Sequence, residues 1–356
     1  MAAQDRSSYE IFQIRSNDGS KTVNVSNLVI TFSYFENVLS PMVTAQAVIV
    51  NTGNAVVDEE EDITSIYNGL PLNGGEKVSI KIPATAEGPG IEFTEENGNE
   101  LYIASITNVL IDAERESFTI NLVSREAITN ETSRIGKKFP STEPISDSVK
   151  EIIKNYLLSD KDVDIDETQN PYGFIGNMKK PFTTLTWLAT KSVPGNVSGG
   201  DATAGYFFFE TYLGYHFRSI DSLITQDPFP IEYSYSPGII DNQDPNKDYK
   251  ILQFSTVRNQ KMIENLEKGA YCTYRMYFNP LNSTFTTPQQ GEFRISKYAE
   301  KMENLGRDFE IFLPPVDKKN KSLGDVPSRY MTGVLDFGTL ERKGSRARAK
   351  NADPME

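Results

Sequence analysis

The chain has 356 residues, 38% of them hydrophobic, with one cysteine, one histidine, mean hydropathy −0.43 and a formal net charge of −13. That length allows two or three domains at roughly 150 residues each, while a single histidine excludes His-rich zinc sites and leaves little room for Ser/His or Cys/His catalysis. So acidic a surface repels nucleic acid, because gripping it requires Lys and Arg to displace phosphate counterions; it would suit a wall past which DNA slides, although many soluble proteins are merely acidic.

No stretch approaches the ~20 apolar residues of a membrane-spanning helix. The start, Met1 to Arg6, turns polar at once and lacks the apolar core of a signal peptide. Cys272 has no second cysteine to pair with, which fits a cytosol-like compartment. The sequons at Asn130 and Asn282 are then by-products of a chain rich in Asn, Ser and Thr.

In chain order, the first third reads as β-structure. Residues 9–14 alternate imperfectly, and 28–34 and 43–50 are richer in β-branched and aromatic side chains. After the acidic run 58–62, Asn73-Gly74-Gly75 signals a turn into 76–82. There Val78, Ile80 and Ile82 face one way while the lysines and Ser79 face the other. Two more strands, 101–111 and 118–123, are joined by a charged link. Strands with polar turns and little helix predict a barrel or sandwich of about 120 residues.

The character changes near Arg125. Ile145, Val149, Ile152, Ile153, Tyr156 and Leu157 form one helical stripe, with Pro144 tolerable in the first turn and Ser159-Asp160 closing it. A shorter helix is expected over 184–192, with Leu185, Leu188 and Ala189 inward. Residues 193–204 read as a loop, and 206–210 with 215–220 as a hairpin turning through Gly214. Pro228 and Pro230 mark a boundary. Beyond them come a strand candidate at 249–258, a mixed Tyr/Asn/Pro region to about Ile311, lysine-rich loop at 318–321, and a basic, mildly helical end at 341–350. No fixed-period repeat is present.

The residues that could carry chemistry each have a plainer reading. His216 fits a solvated or salt-bridged side chain on the outer face of the hairpin, near Arg218 and Glu210, better than a catalytic base. Asp160, Asp162, Asp164 and Asp166 alternate like a calcium loop. The sixth position, however, is Ile165 instead of Gly, so a solvated acidic loop is the expectation. The run 58–62 reads as a hydrated loop or a partner-facing patch. Among 49 Asp and Glu residues some glycosidase-like pair can always be nominated, so that signal needs geometry. No P-loop appears, and Gly195, Gly199 and Gly200 make no dinucleotide fingerprint. The Tyr-rich stretch 271–278 suits a core or an interface. The basic residues 342–348 suit a solvated helix end better than a nucleic-acid or acidic-partner contact. No catalytic, cofactor-binding or metal residues are assigned, and no cofactor is expected.

Four stretches, in order, carry a family resemblance. They are Asn73-Gly74-Gly75-Glu76-Lys77-Val78-Ser79-Ile80; the paired strands of 102–123; Gly136-Lys137-Lys138-Phe139-Pro140 leading into the helix of 145–158; and the Trp187 helix with the hairpin 206–220 and Gln226-Asp227-Pro228-Phe229-Pro230. Over about residues 20–232 the chain resembles the central hub proteins of T-even-type contractile phage (myovirus) baseplates, a family related to the upper part of type VI secretion spike proteins.

The resemblance implies a homotrimeric ring, each subunit giving two tube-like barrels, that joins the six-fold tail tube to the three-fold central spike and helps initiate tube assembly. Expected partners are the chain itself, the spike protein, tail tube or tube-initiator proteins, baseplate wedge proteins and a tape measure protein. Viral DNA only passes through the lumen, and no membrane is involved. The location implied is the virion tail baseplate, assembled in the bacterial host cytoplasm. The expected second barrel should be completed by strands after the basic end, where this sequence stops.

The expected fold class is thus α+β and β-dominated, with tail-tube-like β-barrel domains and an α+β insertion. The first barrel takes residues 1–125, the insertion 126–227, and a second barrel-like region with its own insertion 228–356. No enzymatic activity is expected. The rival readings are a tail-associated hydrolase of cell-wall or surface polysaccharide and a host-surface binding module.

Overall fold

The computed structural model describes residues 8–51, 56–57, 63–83, 90–112, 115–195, 205–228, 230, 233–235, 250–251, 253–257, 259–280, 283–285, 291–304, 313 and 321–334. The acidic run 58–62, most of the glycine-rich loop, Asn282, residues 318–320 and the basic end 341–350 lie outside the described residues. The fold is α+β and dominated by strands.

Residues 11–124 build one eight-stranded sheet curled into a half-barrel. Its strands are β1 (Ile11–Arg15), β2 (Thr22–Asn24), β3 (Val29–Phe35), β4 (Thr44–Asn51), β7 (Lys77–Ile82), β8 (Ile91–Phe93), β9 (Leu101–Ile111) and β10 (Glu116–Ser124). A two-stranded pair, β5 (Val56–Val57) and β6 (Ile63–Thr64), and the single turn α1 (Ile66–Gly69) lie between β4 and β7. The hydrogen-bonded order is β2-β1-β7-β9-β10-β4-β3, with β8 beside β7.

Period two decides which face is core. Phe12, Ile14, Val78, Ile80, Ala45, Ala47, Ile49, Phe118, Ile120 and Leu122 alternate inward and pack as one cluster. The sheet's two ends, β2 and β3, are consecutive in sequence and turn a corner at 25–28. Val25 N–H still reaches Phe12 of β1, while Leu28 C=O accepts Val50 N–H from β4. One length of chain therefore passes from the first edge of the sheet to the last, and this curls it around its core.

Residues 125–225 form a second layer with a separate core. It contains α2 (Arg125–Thr132), β11 (Lys138–Phe139), α3 (Ile145–Asn155), β12 (Val163–Ile165), β13 (Phe174–Ile175), α4 (Pro181–Lys191), β14 (Tyr206–Thr211), β15 (Gly214–Ser219) and α5 (Ile220–Thr225). The expected helical stripe is buried along α3 and meets Leu185 and Leu188 of α4, with Phe208, Tyr215 and Phe217 of the hairpin. Helix α4 starts earlier than its apolar pattern suggests. Pro181 sits in its first turn, and the Asn130 side chain of α2 accepts Phe182 N–H at 2.8 Å, satisfying one of the helix's open donors.

The hairpin turns at Gly214 as expected. There φ is +133°, and a Cβ would come within 2.2 Å of Asp162 C=O. The acidic stretch departs from expectation: it is not a loop throughout, because residues 163–165 form β12, parallel to β15.

Beyond Pro228 the described residues hold β16 (Ser234–Tyr235), β17 (Lys250–Ile251), α6 (Met262–Lys268), β18 (Cys272–Asn279), β19 (Thr284–Phe285), β20 (Glu292–Arg294), α7 (Ile295–Asn304) and β21 (Arg329–Val334). The strand expected over 249–258 is reduced to Lys250–Ile251 among the described residues. All of the Tyr-rich stretch 271–278 but Tyr271 lies in β18, at the centre of a four-stranded sheet, with Cys272, Thr273 and Tyr277 buried.

Candidate subunit-interface edges

Strand β9 has two unlike halves. Leu101 and Tyr102 pair with β7 on one side and β10 on the other, and Ile103 N–H reaches Glu76 C=O. From Ala104 to Ile111 the strand pairs only with β10; among the described residues no strand takes its other edge. Apart from half-buried Ile106, this half is exposed, with Leu110 70% and Ile111 50% accessible.

Two irregularities in the β9–β10 register bend it. The first falls at Ala104, and the second at Asn108-Val109 opposite Phe118. Asn108 takes φ +54°, a left-handed conformation that Asn tolerates better than most residues.

No charged residue occurs anywhere in Leu101–Ile111. Exposed edges are usually protected by lysine, proline or short length, because a free row of N–H and C=O groups is a template for another strand. At the far end of the same sheet β3 pairs only with β4 among the described residues, and Ile30 and Phe35 are more than half exposed.

The outward face between these edges is also uncharged. Ser33, Gln46, Asn121 and Ser105 stand on adjacent strands β3, β4, β10 and β9. Gln46 Nε2 donates to Asn121 at 3.0 Å, and Asn121 Nδ2 donates to Ser105 at 3.0 Å. The β1–β7 half of the same face carries the ions instead: Lys77 pairs with Glu100, Arg15 with Glu95 and Lys81 with Glu10.

The polar residues singled out from sequence are brought together only in part. His216 stacks on Phe209, with Nε2 2.8 Å from Thr211 Oγ1 and Nδ1 3.4 Å from Asp164. Asp164 and Asp166 both pair with Arg218, so the alternating aspartates fasten β12 to β15. Glu210 is not a neighbour of His216 in the functional sense, because adjacent register positions face opposite ways. It is buried on the other side with Lys161 and Glu126, at 2.6 Å and 2.9 Å from the ammonium. Sequence reasoning missed this triad. Among the described residues no group of three or more His, Cys, Asp or Glu is placed to hold a metal ion.

No protein-family model and no curated protein matches the chain. Solved structures do. The chain is similar to the 43 kDa tail protein of prophage MuSo2 from Shewanella oneidensis (12% identity, 58% of this chain and 54% of that one, TM-score 0.38). It is similar to the tail protein from Neisseria meningitidis MC58 (10% identity, 92% and 72%, TM-score 0.43). A third likeness is to the E. coli c3393 protein, a component of the type VI secretion system described as structurally similar to T4 tail proteins gp27 and gp5 (10% identity, 61% and 47%, TM-score 0.30). The chain thus spans about half the length of the Shewanella and E. coli proteins.

Proposed function

We propose that the chain is a structural, non-enzymatic hub of a contractile-tail baseplate, forming a homotrimeric ring between the six-fold tail tube and the three-fold central spike. The observation that carries this reading is the uncharged, unprotected edge at 104–111, set on the same sheet as a second free edge at β3. Pairing of one copy's β9 with the next copy's β3 is a heterologous contact, and such contacts make closed rings when the rotation between copies closes. Main-chain hydrogen bonds would supply affinity, with Val109, Leu110, Ile30 and Phe35 burying apolar surface beside them. The uncharged amide and hydroxyl face between the edges carries no cation to displace phosphate counterions and suits a passage for DNA.

The reading includes the sequence-based division at 125 and 227, with residues 228–356 contributing to a second barrel-like region. Spike, tube or tube-initiator, wedge and tape measure proteins are the partners, and the location is the virion tail.

Light scattering of the purified chain across a dilution series, with negative-stain images of the same fractions, tests the proposal. Trimeric rings with an open centre are expected. Thr107→Lys combined with Leu110→Lys should give monomers of unchanged circular dichroism. A chain that stays monomeric even with spike protein added, or rings indifferent to those lysines, would sink the edge-pairing hub.

A further inference from the structure

We propose that Glu126, Lys161 and Glu210 form a two-stage, proton-operated latch between the first sheet and the second layer. Glu210 belongs to β14, yet one of its oxygens accepts Val43 N–H at 2.9 Å and Ser124 Oγ at 2.8 Å, at the start of β4 and the end of β10. Its other oxygen accepts Lys161 Nζ at 2.6 Å. The same ammonium donates to Glu126 at 2.9 Å, and Ser159 Oγ donates to the second Glu126 oxygen at 2.7 Å. Both carboxylates are essentially inaccessible, so two buried anions share one cation that is itself only 14% exposed.

The surrounding groups leave that imbalance standing. Arg125 lies 3.5 Å from Glu126 but is 43% exposed, donates to Leu158 C=O and also faces Asp160 at 4.0 Å. The Tyr215 ring lies 5.8 Å from the ammonium, and Tyr34 of β3 faces Glu210 from the first sheet. A cleft of about 260 Å³ is lined by Glu126, Lys161 and the Asn97–Asn99 loop, so it adjoins two members of the triad. Elsewhere on the junction Tyr212 packs edge-on against Phe93 and donates its N–H to Glu36.

Charge arithmetic sets the two stages. Written as formal charges, two carboxylates and one ammonium leave a surplus of one negative charge. A first proton removes that surplus and leaves a neutral Lys161–Glu126 pair; a second removes the pair itself. Burial pushes the Glu210 carboxyl up, offset only in part by Lys161 and the Val43 amide. At Glu126 burial works in the same direction, but Lys161 and Ser159 outweigh it and hold the carboxyl below its ordinary value.

The signs follow. Docking stability owed to Glu210 is fully present below the ordinary carboxylate range and is lost as pH rises through its raised value. That owed to Glu126 is present above the ordinary range and is lost as pH falls through its lowered value. The latch is therefore tightest in mild acid and lets go below it.

Hydrogen exchange of the full chain, corrected for intrinsic rates, between about pH 7 and about pH 3 tests this. Protection of peptides covering 40–46 and 206–214 should hold or rise into mild acid and then fall about tenfold or more. Peptides covering β1 and β7 should stay protected, which reports that the first sheet is still folded. Glu210→Gln should abolish the higher-pH inflection and keep the lower one. Junction protection that falls from neutrality downward, identical profiles for Glu210→Gln and the parent, or loss shared equally by β1 and β7 would each overturn the latch.

Discussion

The two halves of β9 both carry large aliphatic side chains and no charge, yet their circumstances are opposite. Leu101 and Ile103 are 1% exposed and their strand is held from both sides; Leu110 and Ile111, eight or nine residues on, are at least half exposed and held from one. Residue type does not explain the contrast between these four aliphatic side chains, and neither half carries a charge. What differs is the neighbour: β7 begins at Lys77, opposite Tyr102, so β9 runs on past its partner. The inner half is core of this chain; the outer half, apart from Ile106, is surface that is held only by β10 among the described residues.

Substitutions can sharpen that contrast or break it. Ile103→Ala should cost about 3 kcal/mol, the usual penalty for emptying a closed core site, measured by urea denaturation. Asn108→Val should cost about 1 kcal/mol, because a β-branched residue resists the left-handed backbone found there; the same denaturation series checks it. Leu110→Ser should stay within about 0.5 kcal/mol of the parent under monomeric conditions while weakening assembly, read by light scattering. A large stability loss at Leu110, comparable with that at Ile103, would show the outer half to be ordinary core and remove the reason to expect a partner strand.

How much of this could be read from sequence depended on whether a pattern was local. The alternation of Val78 and Ile80 and the stripe of α3 are visible because each residue's burial follows from its own spacing. Helix α2 was invisible for the complementary reason. Its buried residues are Glu126 and Asn130, so the inward face carries no hydrophobic period, although it is spaced at i, i+4 like any other.

The triad was harder still. Lys161 lies 35 and 49 positions from its two carboxylates, and no local rule makes an ordinary-looking Glu210 in an aromatic strand the buried one. The free edge was half legible. The absence of charge in Leu101–Ile111 stands in the sequence, but that β7 pairs with only its beginning is a fact of the sheet.

The hydrogen bond from Val43 to Glu210 joins residues 167 positions apart. At roughly 5–20 residues per second, synthesis reaches Glu210 about 10–30 seconds after Val43. During that interval the first sheet can gather its apolar core, but the amide leading into β4 has no acceptor. Closing so long a loop carries an entropic cost that grows only slowly with length, yet it places the contact among the slow, non-local events of folding. The nascent first sheet is thus left with an untied end until the second layer has been made, and this interval is when the bare edge of β9 is most open to pairing with the wrong chain.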